Sequence, residues 1–111
     1  MQMENQTQTQ HPLIPEVQKI INSNDVVIFM KGTADFPACG FSARAVATLR
    51  AAGAKNLRSF DVLSDDPMWE ALEALTEWPT VPQVFIKGQF IGGCDITVEM
   101  FENGELQKLL A

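Results

Sequence analysis

Residues 31–42 read Lys-Gly-Thr-Ala-Asp-Phe-Pro-Ala-Cys-Gly-Phe-Ser and separate a predicted strand from a predicted helix. The apolar run Val26–Met30 before them indicates a buried strand, and residues 43–52 after them are rich in helix-forming side chains. Cys39 therefore lies where a loop becomes a helix. Because a helix N-terminus favours negative charge, we expect a lowered pKa for the Cys39 thiol. The thiolate is the form that attacks disulfides and binds metals.

Ser42 stands three residues after Cys39, where a Cys-x-x-Cys redox motif carries its second thiol. Without that thiol, the two-cysteine disulfide cycle cannot run inside the motif. Cys39 would therefore complete its chemistry with a small thiol, with another cysteine or by binding a metal. A thiol placed in this way after a strand is the arrangement of a thioredoxin-like redox site.

Composition excludes several classes of function. The chain has 111 residues, which suits one compact domain, and its 8 basic and 14 acidic side chains give a net charge of −6. The sequence has no basic patch, so we expect no nucleic-acid partner, and no apolar run is long enough to span a membrane. One histidine and two cysteines cannot supply a four-ligand zinc site. Two cysteines far apart in sequence indicate a reducing compartment.

Two segments differ in composition. Residues 1–12 are rich in glutamine, threonine and asparagine, and we predict a disordered tail in which His11 is solvated. This tail lacks the apolar core of a secretory signal and is not arginine-rich, so we do not expect a transit peptide within it. Residues 13–111 form the predicted folded domain.

Hydrophobic periodicity and turn residues predict the order α-β-α-β-α-β-β-α, with a final short helix after it. Alternating strands and helices indicate a sheet covered by helices. The first two strands should be parallel with a right-handed crossover, and the last two antiparallel. The predicted fold is therefore α/β and thioredoxin-like, with a four-stranded mixed sheet flanked by helices. The predicted strands are 26–31, 56–62, 83–86 and 89–91, and the predicted helices are 15–23, 40–52, 64–76, one capped by Asp95 or Thr97 that ends at Phe101, and 105–110.

The chain carries four short motifs: Lys31-Gly32-Thr33, Cys39-Gly40-Phe41-Ser42, Trp78-Pro79-Thr80-Val81-Pro82-Gln83 and Gly92-Gly93-Cys94-Asp95. In their order and spacing they resemble the signatures of monothiol glutaredoxins of the Cys-Gly-Phe-Ser class. The resemblance extends over roughly residues 13–110 and is to single-domain members. One motif alone would be a weak signal, whereas the four together are specific.

The resemblance implies a function. Proteins of this class bind glutathione beside the active cysteine, and two protomers hold a 2Fe-2S cluster through one cysteine and one glutathione thiol from each. They are carriers in iron–sulfur cluster assembly and transfer to recipient proteins, with weak oxidoreductase activity. A homodimer is implied when the cluster is bound and a monomer without it. The implied location is the mitochondrial matrix or, alternatively, the bacterial cytoplasm.

The resemblance also implies roles for individual residues. Cys39 would be the nucleophile and the iron ligand, and Lys31 would approach its sulfur and the carboxylates of the ligand. The backbone of Val81, which precedes a cis Pro82, would pair with the cysteinyl amide of the thiol. Thr80 and Gly93 are the implied binding residues next to Val81 and Cys94. The Cys94 N–H and the Asp95 side chain would hold the γ-glutamyl end of the ligand. Phe41 would flank the cluster.

The chain departs from the class at two positions. An arginine eleven residues before the motif threonine, and often a lysine four residues after that arginine, pair with the glycine carboxylate of glutathione; here these positions hold Trp69 and Glu73. Glu73 would repel that carboxylate, so we expect plain glutathione to bind less well. A glutathione–spermidine conjugate such as trypanothione would instead be attracted by Glu73 and could stack a cation on Trp69. The alternative is that Lys55, Arg58 or Lys87 supplies the missing charge.

Several alternatives stay open at this point. Cys94 could form a disulfide with Cys39, replace the missing second thiol or be inert, and we favour an inert thiol or an occasional redox partner. The chain could also be a monothiol disulfide reductase that removes glutathione from protein thiols through a mixed disulfide at Cys39. A third reading is an interaction module that senses iron through its partners. Trp78 and Phe85 are predicted to serve packing rather than recognition.

Overall fold

The computed structural model describes residues 11–111, and the disorder predicted for residues 1–10 lies outside the described residues. A short 3-10 helix, Val62–Ser64, joins the second strand to the third helix. No helix within residues 11–111 is both long and apolar enough to cross a membrane. The helices are α1 (Ile14–Ser23), α2 (Gly40–Ala51), α3 (Asp66–Thr76), α4 (Cys94–Glu102) and α5 (Glu105–Leu110), and the strands are β1 (Val26–Met30), β2 (Leu57–Asp61), β3 (Gln83–Ile86) and β4 (Gln89–Gly92).

The four strands form one mixed sheet in the order β2-β1-β3-β4, which confirms the predicted α/β thioredoxin-like fold. β1 pairs in parallel with β2 and antiparallel with β3. β3 and β4 form the predicted antiparallel hairpin, with its turn at Lys87 and Gly88. The ends of the elements differ from the prediction by one or two residues; Lys31, for example, was predicted within β1 and lies just beyond its end.

Helices cover both faces of the sheet and form two hydrophobic clusters. Val26, Ile28 and Met30 face the cluster under α2, α4 and α5, whereas Val27 and Phe29 face the cluster under α1 and α3. All five side chains are at most 3% exposed. Burial on both faces explains why β1 reads as a continuous apolar run. The central place of β1 in the sheet therefore sets the position of the loop that carries Cys39.

The predicted cap of α4 is wrong. The helix begins at Cys94 with Gly93 as its N-cap, and no side chain of residues 11–111 caps it. Asp95 and Thr97 lie inside the first turn, because the extended backbone at Gly93 leads the chain directly from β4 into the helix. Thr97 is fully buried and donates from Oγ1 to the Gly93 carbonyl at 2.7 Å.

His11 is also placed differently from the prediction of a solvated tail residue. Its side chain is half-buried, and its Nε2 lies 3.4 Å from Oε1 of Glu70 on α3. Its Nδ1 accepts a hydrogen bond from the Leu13 N–H at 3.1 Å. This local bond turns the chain toward α3 just before α1 begins.

Candidate functional site

A hollow of about 420 Å³ lies beyond the carboxyl end of β1, between the segment that precedes β3 and the start of α4. We call it the Val81 hollow. All of the predicted site residues line it except Cys39 and Glu73. Its lining comprises Lys31, Phe41, Trp69, Trp78, Pro79, Thr80, Val81, Pro82, Gly93, Cys94, Asp95 and Ile96.

Cys39 is the N-cap of α2, at the turn from the loop into the helix, and its side chain is half-buried. The Ser42 N–H donates to Cys39 Sγ at 3.4 Å. Burial alone would raise the pKa of the Cys39 thiol, but hydrogen bonds from Ser42 and Phe41 and the nearby Lys31 ammonium outweigh it, so this pKa is lowered. The expected thiolate character of Cys39 is therefore supported by the geometry of the helix start.

Ser42 does more than occupy the position of a missing thiol. Its side chain is fully buried, and its Oγ accepts a hydrogen bond from the Lys31 N–H at 3.2 Å and from the Cys39 thiol at 3.6 Å. When Cys39 ionises, the Ser42 hydroxyl can donate to the sulfur instead, which favours the thiolate. Sequence reasoning missed this role, because the bond to Lys31 depends on how the end of β1 meets α2.

Replacing Ser42 with alanine should raise the pKa of Cys39, because the thiolate loses one hydrogen-bond donor. At neutral pH the rate of Cys39 alkylation by iodoacetamide should fall a few-fold, and the rate–pH profile should move to higher pH. Ser59→Ala is the matched control, since Ser59 Oγ bonds the Ala34 N–H of the same loop without touching Cys39. An unchanged profile in Ser42→Ala would contradict this role.

Asp61 anchors the loop that leads to Cys39. The Gly32 N–H donates to Asp61 Oδ1 at 2.9 Å, and the Leu63 N–H donates to the same oxygen at 2.9 Å. The backbone hydrogen bond from Gly32 lowers the pKa of Asp61, with further contributions from Leu63 and Ser64. The sequence signal was an aspartate just before the Val62–Ser64 turn, where such residues cap helices. Its second bond, to Gly32, could not be read from the sequence.

The Val81–Pro82 peptide bond is cis, as the resemblance implied. Val81 is 8% exposed and lines the hollow, yet neither its N–H nor its C=O makes a hydrogen bond within residues 11–111. Buried backbone groups are nearly always paired. The hollow is therefore lined by a residue whose backbone donor and acceptor are both free to bind a molecule that enters it.

The first turn of α4 also lines the hollow. It has no side-chain cap, and the N–H groups of Cys94, Asp95 and Ile96 make no hydrogen bond within the described part of the chain. Such a helix start attracts anions. The Cys94 side chain is buried, and this burial raises the pKa of its thiol. Cys94 is therefore placed to contribute its backbone rather than a thiolate.

Trp69 is half-buried and borders two hollows. Glu73 does not line the Val81 hollow, because it is exposed one turn further along α3. It lines an adjoining hollow of about 200 Å³ together with Trp69, Asp66, Glu70 and Pro79. This adjoining hollow is therefore lined by three carboxylates, whereas sequence reasoning considered only that of Glu73.

The three cationic residues considered as substitutes for the missing arginine and lysine do not line the Val81 hollow. Lys55 and Lys87 line a hollow beside Val26, at the opposite end of β1 from Cys39. The Arg58 guanidinium lies over the Phe60 ring, 5.7 Å from its centre. Of the cationic side chains in residues 11–111, Lys31 is the one that lines the Val81 hollow.

Two aromatic residues were predicted to serve packing. Phe85 is 4% exposed and packs in the core, which confirms the prediction. Trp78 is 42% exposed, meets Phe90 edge-on at 6.2 Å and also lines the Val81 hollow. Its indole therefore packs on one side and faces the hollow on the other.

A family model described as Glutaredoxin matches residues 26–91. The probable monothiol glutaredoxin 2 of Rickettsia typhi is 47% identical over 85% of this chain and 84% of that protein. The chloroplastic monothiol glutaredoxin-S7 of Oryza sativa subsp. japonica is 45% identical over 88% of this chain, and the mitochondrial glutaredoxin-related protein 5 of Danio rerio is 43% identical over 84%. The chain spans 60% and 63% of the length of these last two relatives.

Solved structures give the same match. The solution structure of reduced poplar apo GrxS14 has a TM-score of 0.76 and 43% identity, and the match covers 90% of this chain and 91% of that one. The crystal structure of a buckwheat glutaredoxin–glutathione complex has a TM-score of 0.77 and 32% identity, over 87% and 86% of the two chains. The arrangement of sheet and helices is thus that of glutaredoxin structures.

Proposed function

This chain belongs to the glutaredoxin family, with monothiol glutaredoxins among its relatives, and on that basis we propose that it is a thiol-dependent carrier of 2Fe-2S clusters. The observation that carries the proposal is Cys39 with a lowered pKa and no second thiol in its motif, beside a hollow where the Val81 backbone has no hydrogen-bond partner within residues 11–111. The cluster would be its cargo, received from assembly proteins and passed to recipient proteins.

The Val81 hollow suits a peptide-like thiol. The unpaired Val81 N–H and C=O can pair with the cysteinyl amide of glutathione as an added strand would. The uncapped start of α4 can hold the γ-glutamyl carboxylate, and Asp95 can bind the neighbouring ammonium group. Lys31 lines the hollow and supplies a positive charge near the Cys39 sulfur. The match to a glutaredoxin–glutathione complex supports this assignment.

The ligand count of the cluster supports a shared site. A 2Fe-2S cluster takes four thiolates, and no group of three potential metal-binding side chains lies together within residues 11–111. Cys39 is the accessible thiol, whereas Cys94 is buried with a raised pKa. One Cys39 from each of two protomers and one glutathione thiol beside each would complete the set. Phe41, which is 66% exposed, would flank the cluster in this homodimer, and the cluster-free chain would be a monomer.

Anaerobic reconstitution tests the proposal. The chain would be incubated with ferrous iron, sulfide and glutathione, and visible absorption and oligomer mass would be followed. We expect a coloured dimer that forms only when the small thiol is present. A colourless monomer that nevertheless removes glutathione from a protein mixed disulfide would favour the reductase.

The lowered pKa of Cys39 is the observation that favours a second function, a monothiol disulfide reductase. The Cys39 thiolate would attack the glutathionyl sulfur of a protein–glutathione disulfide, and the protein thiolate would leave. A second glutathione would then attack the Cys39–glutathione disulfide, which restores the Cys39 thiolate and releases glutathione disulfide. Each exchange conserves electrons between two sulfur atoms.

The acidic space beside Trp69 supports a thiol with a cationic extension, as in a glutathione–spermidine conjugate such as trypanothione. Asp66, Glu70 and Glu73 line that space, and Trp69 and Pro79 separate it from the Val81 hollow. An amide in place of the glycine carboxylate would remove the need for the arginine and lysine of the class. A polyamine would be attracted by the carboxylates, and a cation could stack on the indole.

Glu73→Lys should reverse this preference. Calorimetric titration should give about threefold to tenfold tighter binding of plain glutathione and weaker binding of the conjugate, because a carboxylate is exchanged for an ammonium. Glu102→Lys makes the same charge change at an exposed position on α4 that lines neither hollow, and should leave both affinities unchanged. If the wild-type chain binds plain glutathione more tightly than the conjugate, the assignment of the conjugate as ligand is wrong.

Relatives of this chain come from bacteria, mitochondria and chloroplasts. We place its function in the mitochondrial matrix, with the bacterial cytoplasm as the alternative, because both compartments keep thiols reduced. A polyamine thiol as ligand would favour the organelle of a protist. Immunolocalisation in cells that express the native gene would test this assignment.

A further inference from the structure

We propose that Gln83 is a positioning residue that holds residues 78–82 in the conformation that exposes the Val81 backbone to the thiol ligand. This inference rests on the proposed function, since it concerns how the same hollow recognises its thiol. Gln83 is the first residue of β3 and is fully buried. Its side chain points toward the segment before the strand rather than pairing within the sheet.

The carboxamide of Gln83 uses both of its hydrogens on this segment. Nε2 donates to the Trp78 carbonyl at 2.9 Å and to the Thr80 carbonyl at 3.0 Å. These two acceptors lie on either side of Pro79, so one planar group fixes the turn between them. The bonds leave the carbonyl and the N–H of Val81, the next residue, without partners among residues 11–111.

Other anchors of this segment are scarce. Within the described residues, no backbone–backbone hydrogen bond begins or ends at residues 79–82. The N–H of Trp78 is bonded to the side chain of Thr76, which belongs to α3. The Gln83 carboxamide therefore supplies the hydrogen bonds that tie the segment to the sheet. A ligand that pairs with Val81 gains affinity from a partner that is already ordered.

Stability alone does not account for this residue. The Oε1 atom of Gln83 is buried and has no hydrogen-bond partner in the described part of the chain. An unsatisfied buried acceptor destabilises the folded state, and an apolar side chain of similar length would avoid that cost. Local features that lower stability are characteristic of functional positions. The observed role of this carboxamide is to donate two hydrogen bonds, to the Trp78 and Thr80 carbonyls.

Gln83→Met separates a role in positioning residues 78–82 from a role in stability. Methionine keeps the length of the side chain and removes both donors together with the unpaired oxygen. We expect glutathione to bind about tenfold more weakly, because residues 78–82 would have to be ordered when the ligand binds. The midpoint of urea denaturation should be equal to or above that of the wild type, because the unpaired buried oxygen is removed. The rate of Cys39 alkylation should be unchanged, since Gln83 makes no hydrogen bond to Cys39 or Ser42.

Val84→Ala is the matched control. Val84 is the next residue of β3, is fully buried and belongs to the hydrophobic cluster under α2 and α4. Its truncation should lower the denaturation midpoint and leave glutathione affinity, measured well below the unfolding transition, as in the wild type. Opposite responses of the two neighbouring variants are the signature of a positioning role.

Two results would overturn the proposal: affinity of Gln83→Met within twofold of the wild type, or a fall in affinity matched by a fall in its denaturation midpoint. If Gln83→Met does not fold, Gln83→Asn replaces it, since the shorter carboxamide cannot reach both carbonyls. Wild-type affinity in Gln83→Asn would equally overturn the proposal, and about tenfold weaker binding would support it. Failure of the wild-type chain to bind either thiol would count against the proposed function instead.

Discussion

Cys39→Ser should abolish the coloured, cluster-bound dimer completely in anaerobic reconstitution with glutathione. A serine hydroxyl stays protonated at neutral pH and does not replace a thiolate as a ligand to a 2Fe-2S cluster. No neighbouring group can compensate, because no three potential metal-binding side chains lie together within residues 11–111. The variant should fold normally, since Ser at a helix N-cap is among the most favoured residues. Visible absorption and mass under anaerobic conditions measure the loss.

Cys94→Ser is the matched control, with the same atom exchange at the other cysteine. Cys94 is 7% exposed and its pKa is raised by burial, so its thiol is not expected to bind iron. Its backbone N–H at the start of α4 is retained in the variant, and the coloured dimer should form as in the wild type. Two results would contradict the assignment of Cys39 as the iron ligand: a coloured dimer of Cys39→Ser, or a folded Cys94→Ser chain that cannot bind the cluster.

Gly32→Ala should cause the largest loss of stability among glycine substitutions in this chain. Gly32 has a φ of +84°, and a Cβ built on it would lie 2.4 Å from the Phe36 carbonyl oxygen and 2.6 Å from the Ala38 nitrogen. Both contacts are to backbone, which cannot rotate away. Adding left-handed strain to overpacking, we expect the free energy of unfolding to fall by about 3 kcal/mol or more. Denaturant unfolding followed by circular dichroism measures it.

Gly104→Ala separates the two contributions to this effect. Gly104 has almost the same φ, +85°, but a Cβ there would meet no atom within 4 Å. Its replacement should therefore lower the free energy of unfolding by only about 1 kcal/mol, the cost of the left-handed backbone. Equal losses in the two variants would show that crowding in the cysteine loop contributes nothing. Gly32→Ala should also slow Cys39 alkylation, because the loop displaced by the clash ends at Cys39.

Most of the fold could be predicted because its signals are local. Val26–Met30 is apolar throughout and forms the central β1, and the Gly40–Ala51 helix follows from its run of helix formers. The start of α4 was misplaced, because Asp95 and Thr97 are good capping residues and Gly93 is not distinctive in sequence. The contact of His11 with Glu70 was also missed, since it joins residues 59 positions apart.

The sequence by itself determined the fold class, the family resemblance and the central place of Cys39, because strand and helix patterns and short motifs are properties of neighbouring residues. Only the tertiary structure decided how the site is held together. Asp61 binds Gly32 across 29 positions, and Ser42 links Cys39 to the end of β1. It also left the Val81 backbone without a hydrogen-bond partner among residues 11–111. Hydrogen bonds between distant segments depend on how the sheet and helices pack, and burial determines which polar groups find partners. Packing and burial cannot be predicted from patterns among neighbouring residues.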